Sequence, residues 1–344
     1  VRPALKAGLL PVWRDRDTVQ IGIDPRRAVA LTGLGAAVGV LRLLDGSRDR
    51  TQVIAAASDQ GVPRPVTERI LTLLAAGGVL DDIQAAALRA LSQDRRRALG
   101  AELAACALAR GHSDAGATAL VRRDAARVAI HGAGRVAAGI ADILVTSGVG
   151  RVTVVDGPGP AGRRRRAPAR DARGRGADPP RPDLAILVGY AAAASSSGAT
   201  AAGVPHLAVR AEEAIGVVGP LVRPGQTACL RCLDLTRAAL DPAWPLILAQ
   251  LARRTPDPPA CDAALAAAVA AQAAAQALAY LDRRPGAGQP GPGGAGGKDR
   301  AGDGDALPAE NGTLELVLPG WQWRRRTWPR HPACGCLGRS DVAR

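Results

Sequence analysis

Two thiol pairs and a glycine turn stand out in this 344-residue chain as residues whose types and spacing could do chemistry. Cys229-Leu230-Arg231-Cys232 is a C-x-x-C, and Cys334-Gly335-Cys336 is a C-x-C about a hundred residues later. Two thiolate pairs on tight turns can close a tetrahedral shell with no open position for water, which predicts a structural Zn2+ that contributes folding free energy. A C-x-x-C on its own also has the spacing of a redox pair, and four unrelated buried thiols are the plain alternative. The second pair favours a metal, because a trailing strand needs an anchor. His331 is close by as a substitute ligand, although four cysteines suffice.

The glycine turn reads Gly132-x-Gly134-x-x-Ala137. It follows the strand Val128 to Ile130, opens a helix over roughly Val136 to Ser147, and is followed by a strand over Val152 to Val155 that ends at Asp156. Small residues let a backbone approach a phosphate, a helix N-terminus offers free N–H groups, and a carboxylate at the end of the next strand accepts from ribose hydroxyls. Gly132, Gly134, Ala137 and Asp156 are therefore the candidate nucleotide-binding set. The competing reading is a turn that only packs helix on strand.

The remaining reactive groups are isolated. Cys106 lies in an Ala-rich helix and reads as inert core. Cys261 follows Pro258-Pro259 at the start of a long Ala-rich helix, whose dipole would depress its pKa; it is the one weak nucleophile candidate, against a bland buried thiol. His112, His131, His206 and His331 show no i, i+4 pairing, and His131 beside the glycine turn reads as a packed neutral imidazole. Arg163 to Arg166 could clamp phosphates or an acidic peptide, but a solvated charge run explains them as well.

The elements that must position these residues fall into segments. Residues 1–82 carry three short apolar runs, Leu10 to Trp13, Val19 to Ile23 and Ala28 to Leu31, separated by turn residues, which predicts an antiparallel meander. Leu34, Val38, Leu41 and Leu44 then keep helical spacing, a second helix covers Thr51 to Gln60, and a third follows Pro65 and ends before Gly77-Gly78. Val79-Leu80 reads as one arm of a wing, so the whole is a small winged-helix-like α+β module. Residues 83–126 form a helical linker and 127–284 an α/β domain, with further short strands at Leu184 to Val188 and His206 to Val209 that predict a Rossmann-like parallel sheet. Gly157 to Pro182, rich in Arg, Gly and Pro, reads as a flexible loop; 285–306 is a Gly/Pro linker, and 307–344 a strand with Trp321 and Trp323 on alternate positions, then the ligand tail.

Composition narrows the classes. Hydrophobic residues make up 47% and charged residues 22%, which excludes wholesale disorder. With no Phe and two Tyr, the cores must be built from small aliphatics. The net charge of +14 is almost all arginine, matching GC-rich coding pressure, so it carries little weight for a nucleic-acid partner. A first residue of Val in a chain without Met suggests a GTG start. Ala263 to Leu281, interrupted by Gln272 and Gln276, reads as a packed helix and not a membrane span, and no signal-peptide pattern opens the chain. The expected location is cytoplasmic.

His131-Gly132-Ala133-Gly134-Arg135-Val136-Ala137, then Gly148 to Asp156, then the late C-x-x-C, resemble ThiF-type adenylating enzymes, the group that includes ubiquitin-activating enzymes. Gly225-Gln226-Thr227-Ala228-Cys229-Leu230-Arg231-Cys232-Leu233-Asp234-Leu235 is the most specific stretch, and the resemblance covers roughly Arg127 to Cys336. Leu43-Leu44-Asp45-Gly46-Ser47 before two helices is similar to PqqD-like recognition modules. The pairing looks like the cyclodehydratase-type leader-peptide-binding proteins of azole and azoline peptide biosynthesis. The resemblance implies the zinc tetrad, ATP as nucleotide, a peptide or small-protein substrate, a separate ATP-using enzyme as partner, and a fold that is often dimeric. The chain departs from the adenylating pattern where phosphate and magnesium chemistry would sit. Position 158 is Pro, and Gly157 to Pro182 contains neither Asn nor Gln. Gly189-Tyr190 stand where a magnesium-binding Asp belongs, with Asp183 at the wrong end of that strand.

The expected function is thus a degenerate adenylating fold that takes an extended peptide as an added strand, along Val19 to Ile23 or Ala28 to Leu31, and presents it to its partner without using ATP efficiently. The alternatives are a working adenylyltransferase with Cys261 as acceptor, and a winged-helix DNA-binding regulator. For the last, the helix from Pro65 to Ala76 would offer only Arg64 and Arg69, balanced by Glu68.

Overall fold

The computed structural model describes residues 1–110, 113–155, 164–166, 181–194, 196–253, 260–284 and 306–336. The chain forms two compact units, Val1–Val121 and Arg122–Arg344.

The first unit opens with β1 (Pro3–Leu5) and a meander of β2 (Pro11–Trp13), β3 (Val19–Ile21) and β4 (Val29–Leu31), paired in the order β2-β3-β4. Next come a 3-10 helix (Gly35–Leu43), α1 (Arg50–Asp59), α2 (Arg64–Ala76) and β5 (Leu80–Asp82). Val19 and Ile21 of β3 meet Val40, Val53, Ile70, Leu71 and Leu74 in one core, as alternation in the strand and i, i+4 spacing in the helix require. Three expectations are corrected. The segment after Leu34 is a 3-10 helix, because its buried residues Ala37, Val40 and Leu43 recur every third position and Gly35 and Gly39 weaken α propensity. β3 is paired on both sides and offers no docking edge; β4 does. The supposed wing arm β5 pairs antiparallel with β1. Lys6, just past β1, is buried and donates to Asp81 of β5 (2.9 Å) and to the carbonyl of Ala107 (2.9 Å). The helices α3 (Ala86–Ala90), α4 (Gln93–Ala98), α5 (Gly100–Arg110) and α6 (Ala117–Ala125) follow, with Cys106 buried among Leu88, Leu103 and Leu120.

The second unit is built on β6 (Arg127–His131), α7 (Gly134–Thr146), β7 (Arg151–Val155), β8 (Arg164–Arg166), β9 (Leu184–Val188), α8 (Gly189–Ala193), α9 (Ser196–Ala201), β10 (His206–Glu212) and β11 (Ile215–Val222). It continues with α10 (Leu230–Leu240), α11 (Trp244–Leu251), α12 (Ala263–Arg283), β12 (Gly312–Val317) and β13 (Trp323–Thr327). The eight strands run in the order β13-β12-β11-β10-β9-β6-β7-β8. The sheet is mixed, not wholly parallel: β10, β9, β6 and β7 are parallel, and both flanks are antiparallel. The reason is connection length. A two-residue turn joins β10 to β11, and only an antiparallel pair can close so tightly. Arg164–Arg166, expected inside a loop, pair as a strand with β7. The linker at 285–305 lies outside the described residues.

One helix among the described residues, α12, is long and apolar enough to cross a membrane. Ten of its residues are buried instead, against α7, β10 and β11. Small side chains make that packing close: a Cβ on Gly139 of α7 would lie 3.0 Å from that of Ala270. Asp282 near its end forms a buried two-pronged ion pair with Arg123 (both contacts 2.8 Å).

Candidate functional site

The glycine turn sits at the carboxyl ends of β6, β7 and β9. Gly132 has φ +128°, its N–H donates to the carbonyl of Val155 (3.1 Å), and a Cβ there would lie 2.6 Å from the carbonyl oxygen of Val188. Glycine at 132 is therefore required by the convergence of three strands. Gly134 differs. Its φ is +85°, and a Cβ there would meet no described atom within 4 Å. Ala133, the N-cap of α7, provides no side-chain acceptor, so no capping side chain satisfies the first N–H groups of this 13-residue helix. Ala137 is buried in the core beside Ile140 and serves helix-on-sheet packing. Asp156, one residue beyond β7, lies outside the described residues, as does Arg163.

β9 ends without a carboxylate: Gly189 and Tyr190 follow Val188. Asp183 is at the opposite end of that strand, where it accepts from the N–H of Arg127 (2.8 Å) and pairs with Arg284 (2.7 Å). The carboxylate near Gly189 belongs to β10: Glu212 Oε1 lies 3.8 Å from the position a Cβ on Gly189 would take. Burial pushes the Glu212 carboxyl above its ordinary pKa. Burial, followed by the charge of Asp262, likewise raises the Cys261 thiol, so the expected depression by a helix dipole is not met. The physical reason is burial first, and then the negative charge of Asp262, which caps α12 by accepting from the N–H of Leu265 (2.7 Å). Burial lowers the His131 imidazole below its ordinary pKa. Sequence reasoning missed Arg210, Glu212, Arg237 and Trp244 and noted Tyr190 only as standing where an Asp belongs; together they line a cavity at the ends of β9 and β10. The available signal was Arg210 and Glu212 alternating inside an otherwise apolar strand.

The four cysteines come together. Cys229 caps α10, Cys232 lies one turn on, and Cys334 and Cys336 sit on a turn after β13. Their sulfurs are all within 4.8 Å of one another, with separations of 3.8 Å (229–232), 3.5 Å (229–334) and 3.6 Å (232–336). These spacings are too long for disulfides, and they match the edge of a tetrahedron whose centre is about 2.3 Å from each sulfur, a zinc–thiolate distance. The donor set fits Zn2+. Burial beside the other sulfurs pushes Cys229 up to about 11, a cost that a bound divalent cation reverses. The His331 side chain is not one of the clustered ligands: its Nδ1 accepts from the N–H of Ala333 (3.2 Å), while its backbone hydrogen-bonds the Cys232 thiol. Asn311, unnoticed in the sequence, accepts from the N–H of Ala228 (2.7 Å) and fixes the start of the knuckle, while buried Trp328 donates to Thr313 Oγ1 (2.9 Å) beside it.

A four-stranded parallel core, a glycine turn at its carboxyl end and a four-cysteine knuckle joined to its antiparallel flank make a combination that can be compared with solved structures. The fold is shared with the heterocyclase TruD and with MccB. TruD matches at TM-score 0.64 and 18% identity, over 98% of this chain and 43% of its own. Escherichia coli MccB with MccA-N7isoAsn matches at TM-score 0.64 and 13% identity, over 98% of this chain and all of MccB. MccB with ATP matches at TM-score 0.61 and 14% identity, over 98% and 99%. A second heterocyclase, in complex with substrate and cofactor, matches at TM-score 0.64 and 16% identity. The chain spans about two fifths of the length of the two heterocyclases. No protein-family model and no curated protein sequence matches it. The likeness to TruD and MccB therefore concerns the fold.

Proposed function

We propose that this protein binds a leader-type peptide and presents it to an ATP-using enzyme for heterocyclisation or a similar peptide modification. The observation that carries the reading is the end of β9, where Gly189 and Tyr190 stand in place of a carboxylate, in a fold shared with TruD and a second heterocyclase over nearly all of this chain. A sheet end without that acid is poorly equipped for magnesium and phosphate chemistry, so the reading assigns the ATP-using step to a separate partner. β4 supports it further, as an edge strand with no partner on its outer side among the described residues. An extended peptide adds there by main-chain hydrogen bonds. The positive net charge suits an acidic peptide and makes the association salt-sensitive. Zn2+ held by Cys229, Cys232, Cys334 and Cys336 acts as a staple in this reading, with no open coordination position for chemistry.

Selection of displayed peptides on the intact protein, followed by fluorescence anisotropy with a recovered sequence, tests the docking edge. A30P, which removes a main-chain donor from β4, should abolish binding. Retained binding, or no recovered peptide, overturns it.

A second reading, ATP-dependent activation of a peptide or small-protein carboxylate, draws on the open side of Gly134 and the uncapped start of α7, where Gly132 and Gly134 would face the phosphates. Asp156 would take the ribose. Against it stands the absence of a carboxylate at the end of β9. Calorimetric titration with ATP and magnesium separates the two: micromolar binding lost in G134D favours activation, and no heat in a folded protein favours presentation.

A further inference from the structure

Arg210 and Glu212 alternate at the carboxyl end of β10, so both side chains leave the sheet on one face, while Leu207, Val209 and Ala211 enter the core on the other. On the polar face Tyr190, Arg237, Trp244, Glu213, Ile215 and Val217 complete a cavity of about 230 Å³. That is room for roughly eight water molecules at liquid density. Aromatic rings hold both guanidinium groups. Arg210 stacks over Tyr190 at 4.5 Å and donates to its hydroxyl, and Arg237 packs against Trp244 at 4.9 Å and Trp328 at 5.0 Å. Stacking occupies the faces of a guanidinium and leaves its in-plane donors available.

Few of the charges lining the cavity are directly paired. Arg237 has Asp234 at 3.8 Å, whereas Arg210 forms no ion pair among the described residues; it has Arg237 as a neighbouring cation and the charges of Glu212, Glu315 and Asp234 nearby, none of them within ion-pair distance. Glu212 and Glu213 also line the cavity without an ion pair among the described residues. Glu213 and Ala214 form the two-residue turn between β10 and β11 with φ of +55° and +59°, a conformation that normally selects glycine or asparagine. Two backbone bonds hold this strained turn: Ala214 donates to the carbonyl of Ala260 (2.9 Å), and Leu318 donates to that of Ala214 (3.1 Å). Strain kept in place by its surroundings is characteristic of sites where a side chain must be aimed.

We propose that this cavity binds a small zwitterion, a free α-amino acid with an apolar side chain, its carboxylate on Arg210 and Arg237 and its ammonium on Glu212 and Glu213. Arg210 with Arg237 and Glu212 with Glu213 are like-charge neighbours, a repulsion that the attraction between Arg210 and Glu212 offsets in part, and a ligand carrying one charge of each sign relieves both pairs, whereas a simple anion relieves one. Ile215, Val217 and Trp244 supply an apolar wall. The carboxyl ends of strands are also where open α/β sheets receive their ligands. The site needs neither nucleotide nor peptide, and so stands apart from the reading above.

Calorimetry on the intact metal-loaded protein without nucleotide tests it, with L-leucine, leucinamide, 4-methylpentanoate and inorganic phosphate as probes. Leucine should bind, and the two single-charge analogues should each be weaker by about tenfold or more. E213Q, at an exposed position, should weaken leucine and leave 4-methylpentanoate unchanged. R210M should weaken both, with circular dichroism reporting its fold. Phosphate or 4-methylpentanoate binding as tightly as leucine would reduce the site to an anion site and overturn the proposal. So would no leucine binding at millimolar concentration.

Discussion

The carboxyl end of the sheet and the cysteine knuckle are both made by short turns, but they are specified in different currencies. The knuckle is defined by side chains: four sulfurs, drawn from two turns far apart in sequence, sit at the separations of a tetrahedral thiolate site. The sheet end is defined by backbone. Gly132 and Gly134 hold positive φ, and the polar groups Arg210 and Glu212, at the carboxyl end of β10, come from another strand of the same sheet. A side-chain site declares its ligand by its donor atoms. A backbone site offers room and dipoles, and a glycine there can be serving the fold alone. The first kind should fail through the loss of one atom type; the second should show different consequences at neighbouring glycines.

Removing one sulfur is the largest perturbation. In C232S the thiolate shell is broken, and with it a share of the about 10–16 kcal/mol that structural zinc supplies in small metal-dependent folds. We expect a loss on the order of 5 kcal/mol, metal content well below one zinc per chain by plasma mass spectrometry, and proteolytic release of the tail carrying Trp328. Because α10 starts at the knuckle and Asn311 ties the same turn to β12, the damage should spread to the antiparallel flank. Full metal content with an unchanged melting temperature would break the comparison at its stronger side.

The two glycines come next. In G132A the new Cβ would collide with the carbonyl of Val188, in a backbone conformation no L-residue favours, for a cost of about 3–4 kcal/mol from overlap and strain together. In G134A the strain remains but the space is open, so the cost should be about 1–2 kcal/mol. Guanidinium unfolding of both variants reads the difference directly. Equal costs would mean that the space beside Gly134 is filled in the folded protein, and that the turn is packing alone.

This contrast also explains what could be read in the sequence. The β6-α7-β7 unit was legible because Val128 and Ile130 alternate, the helix keeps its apolar spacing, and the turn glycines punctuate them. The cysteines were legible because thiol pairs at short spacing are rare by chance. The antiparallel flank was not, since β11 is apolar throughout and its direction is set by a Glu-Ala turn that carries no turn signature. The edge status of β4, and not β3, depends on pairing order, which apolar runs of equal length do not encode. The cavity was invisible for a related reason: Tyr190, Arg210, Arg237 and Trp244 share no periodicity, and in an arginine-rich chain neither arginine stands out. Cys261 looked activated from its place at a helix start, but the next residue takes the capping role and adds a negative charge.

The smallest effect belongs to the open end of the sheet. Burial raises the Glu212 carboxyl above 4.5, with Arg210 opposing and Glu213 adding to the shift. The folded protein therefore holds this proton more tightly than the unfolded chain does. Between 4.5 and the folded pKa the unfolded state binds fewer protons, so this group makes stability fall as pH rises, and the cost is complete above the folded pKa and absent below 4.5. E212Q removes the titration. Its stability relative to the parent should rise with pH through that window and level off above it, by a fraction of the cost of either glycine variant. Measuring both proteins in parallel cancels acid effects on the cysteine knuckle, which they share. A flat difference across the window would mean that Arg210 holds Glu212 charged in the folded protein, and the two would then be a pair that needs no ligand.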